Sequence, residues 1–151
     1  MDIQTILDRY PARSEYLIEM LIDIDKEKEF HHITEAELRQ VANHINVKPS
    51  HVSAVMSFYT LLSTTPRGRY VIQICKDVPC YLNDDFNVLR SLEERLAIHL
   101  GETTPDGMFS LEETACIGHC DEAPVIRIND TVHTNLTPQT LDDILASYRR
   151  G

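Results

Sequence analysis

The sequence predicts an α/β (α+β) chain in two parts, an N-terminal helical bundle over residues 1–66 and an α/β sandwich over residues 67–151. Three observations lead there. Through the first 62 positions apolar residues recur at three- and four-residue steps, the mark of helices with one buried face. At Tyr70 the pattern changes to the β-rich run Tyr70-Val71-Ile72-Gln73-Ile74. Between the two regimes stands Thr64-Thr65-Pro66-Arg67-Gly68, the first strong linker signal, which places the boundary after residue 66.

In the first part, Ile3, Ile6 and Leu7 define a short helix that stops before Pro11. Ser14 is placed to cap a second helix, whose apolar stripe is Leu17, Ile18, Leu21, Ile22 and Ile24. The charged run DKEKEF, from Asp25, ends that helix on solvated surface. Thr34-Glu35-Ala36-Glu37 is a capping box and opens a third helix with Leu38, Val41, Ala42 and Ile45 inward and Asn46 as its stop. Pro49 suits the first turn of a fourth helix, which runs to Leu62 with Val52, Val55, Met56, Tyr59 and Leu62 on one face.

In the second part, the strand from Tyr70 delivers Cys75 at its C-terminal end. Asp84 or Asp85 is placed to cap the next helix, with Phe86, Leu89, Leu92 and Leu96 inward and Gly101 as its C-terminal stop. Met108 to Thr114 is a second strand, which delivers Cys116. Pro124 opens a third, Val125 to Ile128, and Asn129-Asp130 turns the chain into a hairpin return at Val132-His133-Thr134. Thr137 caps the last helix, with Pro138 at its first position and Leu141, Ile144, Leu145 and Tyr148 inward. The order β-α-β, then ββ-α, is that of a layered α/β sandwich.

All four cysteines lie in this second part: Cys75 and Cys80 in ICKDVPC, Cys116 and Cys120 in ACIGHC. The pattern C-x4-C, 35 residues, C-x3-C reads as one four-thiolate metal site closed by tertiary folding. Disulfides compete with that reading. The N-terminal MDIQTILDRY, however, has neither the basic start nor the apolar core of a signal peptide, so a reducing cytoplasm is expected, where structural disulfides are rare. A structural zinc site tolerates these spacings and stays open. Unrelated buried thiols do not explain the pairing. The plant-type ferredoxin run C-x4-C-x2-C is not met, because its third position is Asn83.

Composition narrows the function. The chain has 151 residues and a formal charge of −10, with a pI near 5.0, which disfavours nucleic acid as a partner. No apolar run approaches the roughly 18–20 residues that span a bilayer, so no direct membrane contact is expected. There is no G-x-G-x-x-G and no P-loop, and the seven histidines form no catalytic pattern, so the chain is expected to have no catalytic site of its own.

C-x4-C…C-x3-C followed by APV, a short hairpin and LTP resembles the thioredoxin-like [2Fe–2S] ferredoxins. With VKPSHVSAVMSFYTLL, the likeness covers nearly the whole chain and extends to the small, 24 kDa-type [2Fe–2S] subunit of NADH dehydrogenase and of related NAD(P)-linked hydrogenases and formate dehydrogenases. The resemblance implies a thioredoxin-like ferredoxin domain and one [2Fe–2S] cluster, with Cys75 and Cys80 on one iron and Cys116 and Cys120 on the other. It implies an electron-transfer subunit of a NAD(P)H-dependent flavin oxidoreductase. The partners it implies are a flavin- and NAD(P)-binding 51 kDa-like subunit and further Fe–S subunits. Two departures stand out: His119 where the family usually has a small residue, and KDVPCYLND without the glycine often seen in that loop. Because four cysteines complete the ligand set, His119 is read as a loop histidine beside the cluster. Asp77, Asp84, Asp85, Asp121 and Glu122 crowd the site with negative charge and point to a low potential, about −400 mV as in plant-type ferredoxins.

A rival reading joins the cluster to a helix-turn-helix in LRQVANHINVKPSHVSAVM, as in a redox-sensing DNA-binding regulator. Its would-be recognition helix, from Pro49 to Leu62, has no Lys or Arg, whereas phosphate contacts dominate affinity for DNA.

Overall fold

The computed structural model describes residues 2–59, 62–75, 87–114, 117–118, 120–122 and 124–150, with Cys120 described in its backbone only. The chain divides into two compact units, Met1–Arg67 and Gly68–Gly151. Among the described residues no helix is long and apolar enough to cross a membrane.

The first unit is built from α1 (Ile3–Leu7), α2 (Leu17–Lys26), α3 (Glu35–His44) and α4 (Pro49–Phe58). Its core joins Ile6, Leu7, Leu17, Met20, Leu21, Ile24, Leu38, Val41, Val52 and Met56, at about 1.5–3 kcal/mol for each large side chain removed from water. On α2 the buried stripe runs through Met20, with Ile18 and Ile22 only half-buried, which corrects the expected register. Ser14 does not cap α2. It opens a short 3-10 turn, Ser14–Tyr16, and α2 starts at Leu17 without a side-chain cap. The capping box at α3 is present in both directions: the Glu37 N–H donates to Thr34 Oγ1 at 3.4 Å, and the Thr34 N–H donates to Glu37 Oε2 at 2.8 Å. Asn46 takes the left-handed conformation just past the end of α3, at φ 55°. Helix α4 stops at Phe58, short of the expected Leu62, although Leu62 is still buried in the core.

The charged run that begins in the last turn of α2 departs from expectation most. Asp25 is only 6% exposed and Arg67 only 8%. Arg67 Nη2 donates to Asp25 Oδ1 at 3.0 Å and to Oδ2 at 3.2 Å. Arg67 Nε donates to the His31 carbonyl at 2.8 Å, and the Arg67 N–H donates to the Phe30 carbonyl at 2.8 Å. One guanidinium therefore neutralises a buried carboxylate and ties down the segment between α2 and α3.

The second unit contains β1 (Tyr70–Cys75), α5 (Val88–Leu96), β2 (Phe109–Thr114), β3 (Ile126–Ile128), β4 (Thr131–His133) and α6 (Pro138–Arg150). The strands form one sheet in the order β2-β1-β3-β4. β1 runs parallel to β2 and antiparallel to β3, and β3 and β4 form the expected hairpin, with Asn129 at φ 52°. Ile72, Phe109, Leu111, Ile126 and Ile128 form one apolar face, packed against Val88, Leu92 and Leu96 of α5 and Leu141 and Leu145 of α6. Gly68 enters this sheet where only a glycine fits, because a Cβ there would lie 2.5 Å from the Phe109 carbonyl carbon.

Asn87 caps α5, accepting from the Arg90 N–H at 3.1 Å; the two aspartates expected in that role, Asp84 and Asp85, lie outside the described residues, as does Phe86. The helix also ends earlier than expected. Ala97, not Gly101, takes the left-handed position at its C-terminus, at φ 55°, and Gly101 belongs to the following turn. At α6, Thr137 and Thr140 cap reciprocally, each hydroxyl accepting from the other's N–H.

Arg67→Ala is expected to cost about 3–5 kcal/mol, the usual result of stranding one partner of a buried ion pair. A urea titration followed by circular dichroism reads it as a lowered midpoint for the helical unit.

Glu37 supplies a pH dependence. Burial pushes its carboxyl up, but the hydrogen bond from Lys28, whose Nζ lies 2.5 Å away, and those from Thr34 outweigh burial and hold it below the ordinary 4.5. Its contribution is therefore full above the ordinary value and is lost as pH falls through the lowered one. Glu37→Gln is expected to destabilise the protein at pH 7 and to converge on wild type in acid, as measured by denaturant midpoints across that range.

Candidate metal centre

Parallel pairing of β1 and β2 creates the site. Cys75, the last residue of β1, lies opposite Thr114, the last residue of β2, two positions before Cys116. The strands that lead to the two cysteine pairs therefore end side by side at one end of the sheet, although their sequences are far apart. Antiparallel β3 starts at that same end, where Ile74 lies opposite Ile126. After Cys120 the chain passes through a short 3-10 turn and re-enters the sheet at Ile126, six residues on.

Cys75 is a free thiol, 7% exposed, and packs with Val125, Ile117 and Val132. Ile117 directly follows Cys116, so this small cluster ties the second loop to the end of β1. Gly118 lies at φ 90°, and a Cβ there would meet nothing within 4 Å. Its backbone conformation, not a lack of space, calls for glycine. Cys120 begins the 3-10 turn Cys120–Glu122. The Glu122 carbonyl accepts from the Asn135 N–H at 2.8 Å, and the Pro124 carbonyl accepts from the Leu136 N–H at 3.1 Å, which anchors the loop's exit ahead of α6. Asp121 is exposed and Glu122 half-buried.

Cys80, Cys116, His119, Asp77, Asp84 and Asp85 lie outside the described residues. Of the four expected ligands, the structure thus describes the Cys75 side chain and the Cys120 backbone. The fit to a thiolate-bound group rests on the buried free thiol, the level ends of β1 and β2, and the open backbone at Gly118. Sequence reading missed a polar row beside Cys75, formed by Gln73 and Arg127. Arg127 Nε donates to Gln73 Oε1 at 2.7 Å, with Gln73 8% exposed. The available signal was a single polar residue between two isoleucines in each strand, Ile72-Gln73-Ile74 and Ile126-Arg127-Ile128.

A helix-backed mixed sheet whose parallel strands end level at Cys75 and Thr114, each strand leading into a cysteine pair in the sequence, suits a small iron–sulfur protein. The chain belongs to the thioredoxin-like [2Fe–2S] ferredoxin family, which matches residues 3–149, and the cofactor of that family is a [2Fe–2S] cluster. It is 38% identical over 148 residues to a NADH-quinone oxidoreductase subunit of Rhizobium meliloti (strain 1021), covering 98% of this chain and 87% of that protein. It is 36% identical over 149 residues to the alpha subunit of the NAD-reducing hydrogenase HoxS of Cupriavidus necator, covering 99% of this chain but only 24% of that much longer one. In fold it is similar to a chain of the crystal structure of NAD+-reducing [NiFe]-hydrogenase in the air-oxidized state, with a TM-score of 0.75 at 23% identity, covering 89% of this chain and 23% of that one.

Proposed function

We propose that the chain carries one [2Fe–2S] cluster on Cys75, Cys80, Cys116 and Cys120 and passes electrons within a cytoplasmic NAD(P)H-linked flavin oxidoreductase. The observation that supports this reading is the register of Cys75 opposite Thr114, since the strands that lead into the two C-x-n-C segments end level with each other. When bound, the cluster supplies a one-electron couple. The chain's own residues hold the thiolates, exclude water around Cys75 through Val125, Ile117 and Val132, and fix the loop path at Gly118. The similar proteins of Rhizobium meliloti and Cupriavidus necator, subunits of NADH-quinone oxidoreductase and NAD-reducing hydrogenase, support an electron-transfer role.

The division of labour follows from where the ligands lie. The unit from Gly68 onward forms the cluster domain, and the helical unit, with Arg67 at its end, forms a docking domain without ligands. Its exposed Phe58, 79% accessible at the end of α4, is the anchor offered to a flavin- and NAD(P)-binding partner subunit. Further Fe–S subunits of the complex receive the electron.

Anaerobically purified protein is expected to be red-brown, with about two irons and two sulfides per chain. Replacing any of Cys75, Cys80, Cys116 or Cys120 by Ala should deplete both, and His119→Ala should leave both intact. A colourless protein holding one zinc after iron-replete expression overturns the reading.

Alone, the chain is expected not to be reduced by NAD(P)H. It should be reduced once the flavoprotein subunit is added, and Phe58→Asp should weaken co-purification with that subunit by roughly tenfold or more, the range of an interface anchor. Bleaching of the cluster's visible absorption, followed anaerobically, reads the first outcome, and pull-down titration reads the second.

A further inference from the structure

A polar row crosses the sheet on the face that carries Cys75. Gln73 lies opposite Glu112 of β2 and opposite Arg127 of β3. Ile72, Leu111, Ile126 and Ile128 all belong to the apolar face packed against α5 and α6. Strand alternation therefore turns Glu112, Gln73 and Arg127 to the other face. The contacts agree: Arg127 donates from both Nε and Nη2 to the one oxygen Gln73 Oε1.

Cys75 is the next residue along β1 on this face, two positions beyond Gln73. Val125, two positions before Arg127, packs in the same small cluster as Cys75. Strand rise and strand spacing put the Cα atoms of Arg127 and Cys75 about 8 Å apart. Arg127 is half-buried, and the group that holds it is a neutral carboxamide. Its position is therefore fixed without its charge being cancelled by the partner that fixes it. Glu112 is half-buried at the other end of the row and carries the opposite sign.

We infer that Arg127 tunes the reduction potential of the bound cluster, holding a positive charge beside the Cys75 thiolate so that the added electron is favoured. The inference rests on Cys75 being a ligand. The step is a one-electron reduction in which no bond is made or broken, with the electron supplied by an external reductant. If the charge-to-thiolate distance is of the order of that Cα separation, about 8 Å, a unit charge at an effective dielectric of about 20 shifts such an equilibrium by more than about tenfold. Solvent screening at a half-exposed side chain reduces this to roughly three- to tenfold.

The test is a dithionite titration of the anaerobically purified full chain, with the reduced cluster followed by electron paramagnetic resonance. Arg127→Gln is expected to lower the reduction equilibrium constant roughly three- to tenfold, where tenfold is about 59 mV for one electron. Arg127→Lys keeps the charge and should stay much closer to wild type. Glu112→Gln should move the midpoint upward. A wild-type midpoint in Arg127→Gln with full iron and sulfide overturns the inference, as does a Lys variant that behaves like the Gln variant. If Arg127→Gln does not fold, Arg127→Met carries the test, since it keeps a long side chain and removes the charge: a lowered midpoint with full iron and sulfide supports the inference and an unchanged one overturns it. Failure of the ligand reading looks different, because Cys75→Ala would then keep its full iron and sulfide whatever the midpoints of the other variants.

Discussion

The parallel ladder between β1 and β2 is the constraint on which the cysteine site depends. Parallel neighbours must be joined by a crossover, and here the connection includes α5, whose inner face lies on the sheet. The crossover reverses the chain so that both strands run the same way and end level, at Cys75 and Thr114. Had the two strands been antiparallel, the C-terminal end of β2 would lie at the opposite end of the sheet and Thr114 would be a strand length from Cys75. The register matters as much as the direction. A slip of one residue would turn Cys75 toward α5 and α6 and put Gln73 into the apolar core.

Much of this was legible in the sequence, for identifiable reasons. Helix-period stripes in α3 and α6, Leu92 and Leu96 of α5, the capping box at Thr34 and the hairpin turn at Asn129 are local signals, and each appears in the fold. On α5, Val88 rather than Leu89 is the buried residue of the first turn. The misplaced features are those decided by tertiary contacts. Met20 replaced Ile18 and Ile22 in the buried stripe of α2 because packing, not hydrophobicity alone, chooses the face. Ala97 ended α5 ahead of Gly101, since a left-handed position can be imposed by the fold on a residue that does not prefer it. At the candidate site the cysteine pattern announced itself through spacing. Gln73 and Arg127 did not, because each is polar in a strand whose other neighbours are apolar, and only the register shows that they meet.

Asp25 and Arg67 show the same limit more sharply. DKEKEF reads as solvated surface, and a linker arginine reads as a linker arginine. Each alone would be costly to bury, and neither carries a local sign that the other is 42 residues away. Arg67 also donates to the His31 and Phe30 carbonyls, so that hydrogen-bonding capacity removed from water is used within the unit.

Burial also changes how the charge around the cysteines should be weighed. A formal charge of −10 and a crowd of carboxylates near the loops argue for a cluster that resists reduction. Yet charges act in proportion to how little water lies between them and the site. Asp121 is exposed, so much of its field is screened. Arg127 is half-buried and held on the sheet by a buried amide, where screening is weaker. One cation in that position offsets more than one carboxylate at the surface. On the proposed reading, a charge the sheet fixes on the Cys75 face, Arg127 or Glu112, weighs more in the potential than an exposed carboxylate such as Asp121, and the net charge of the chain alone does not set it.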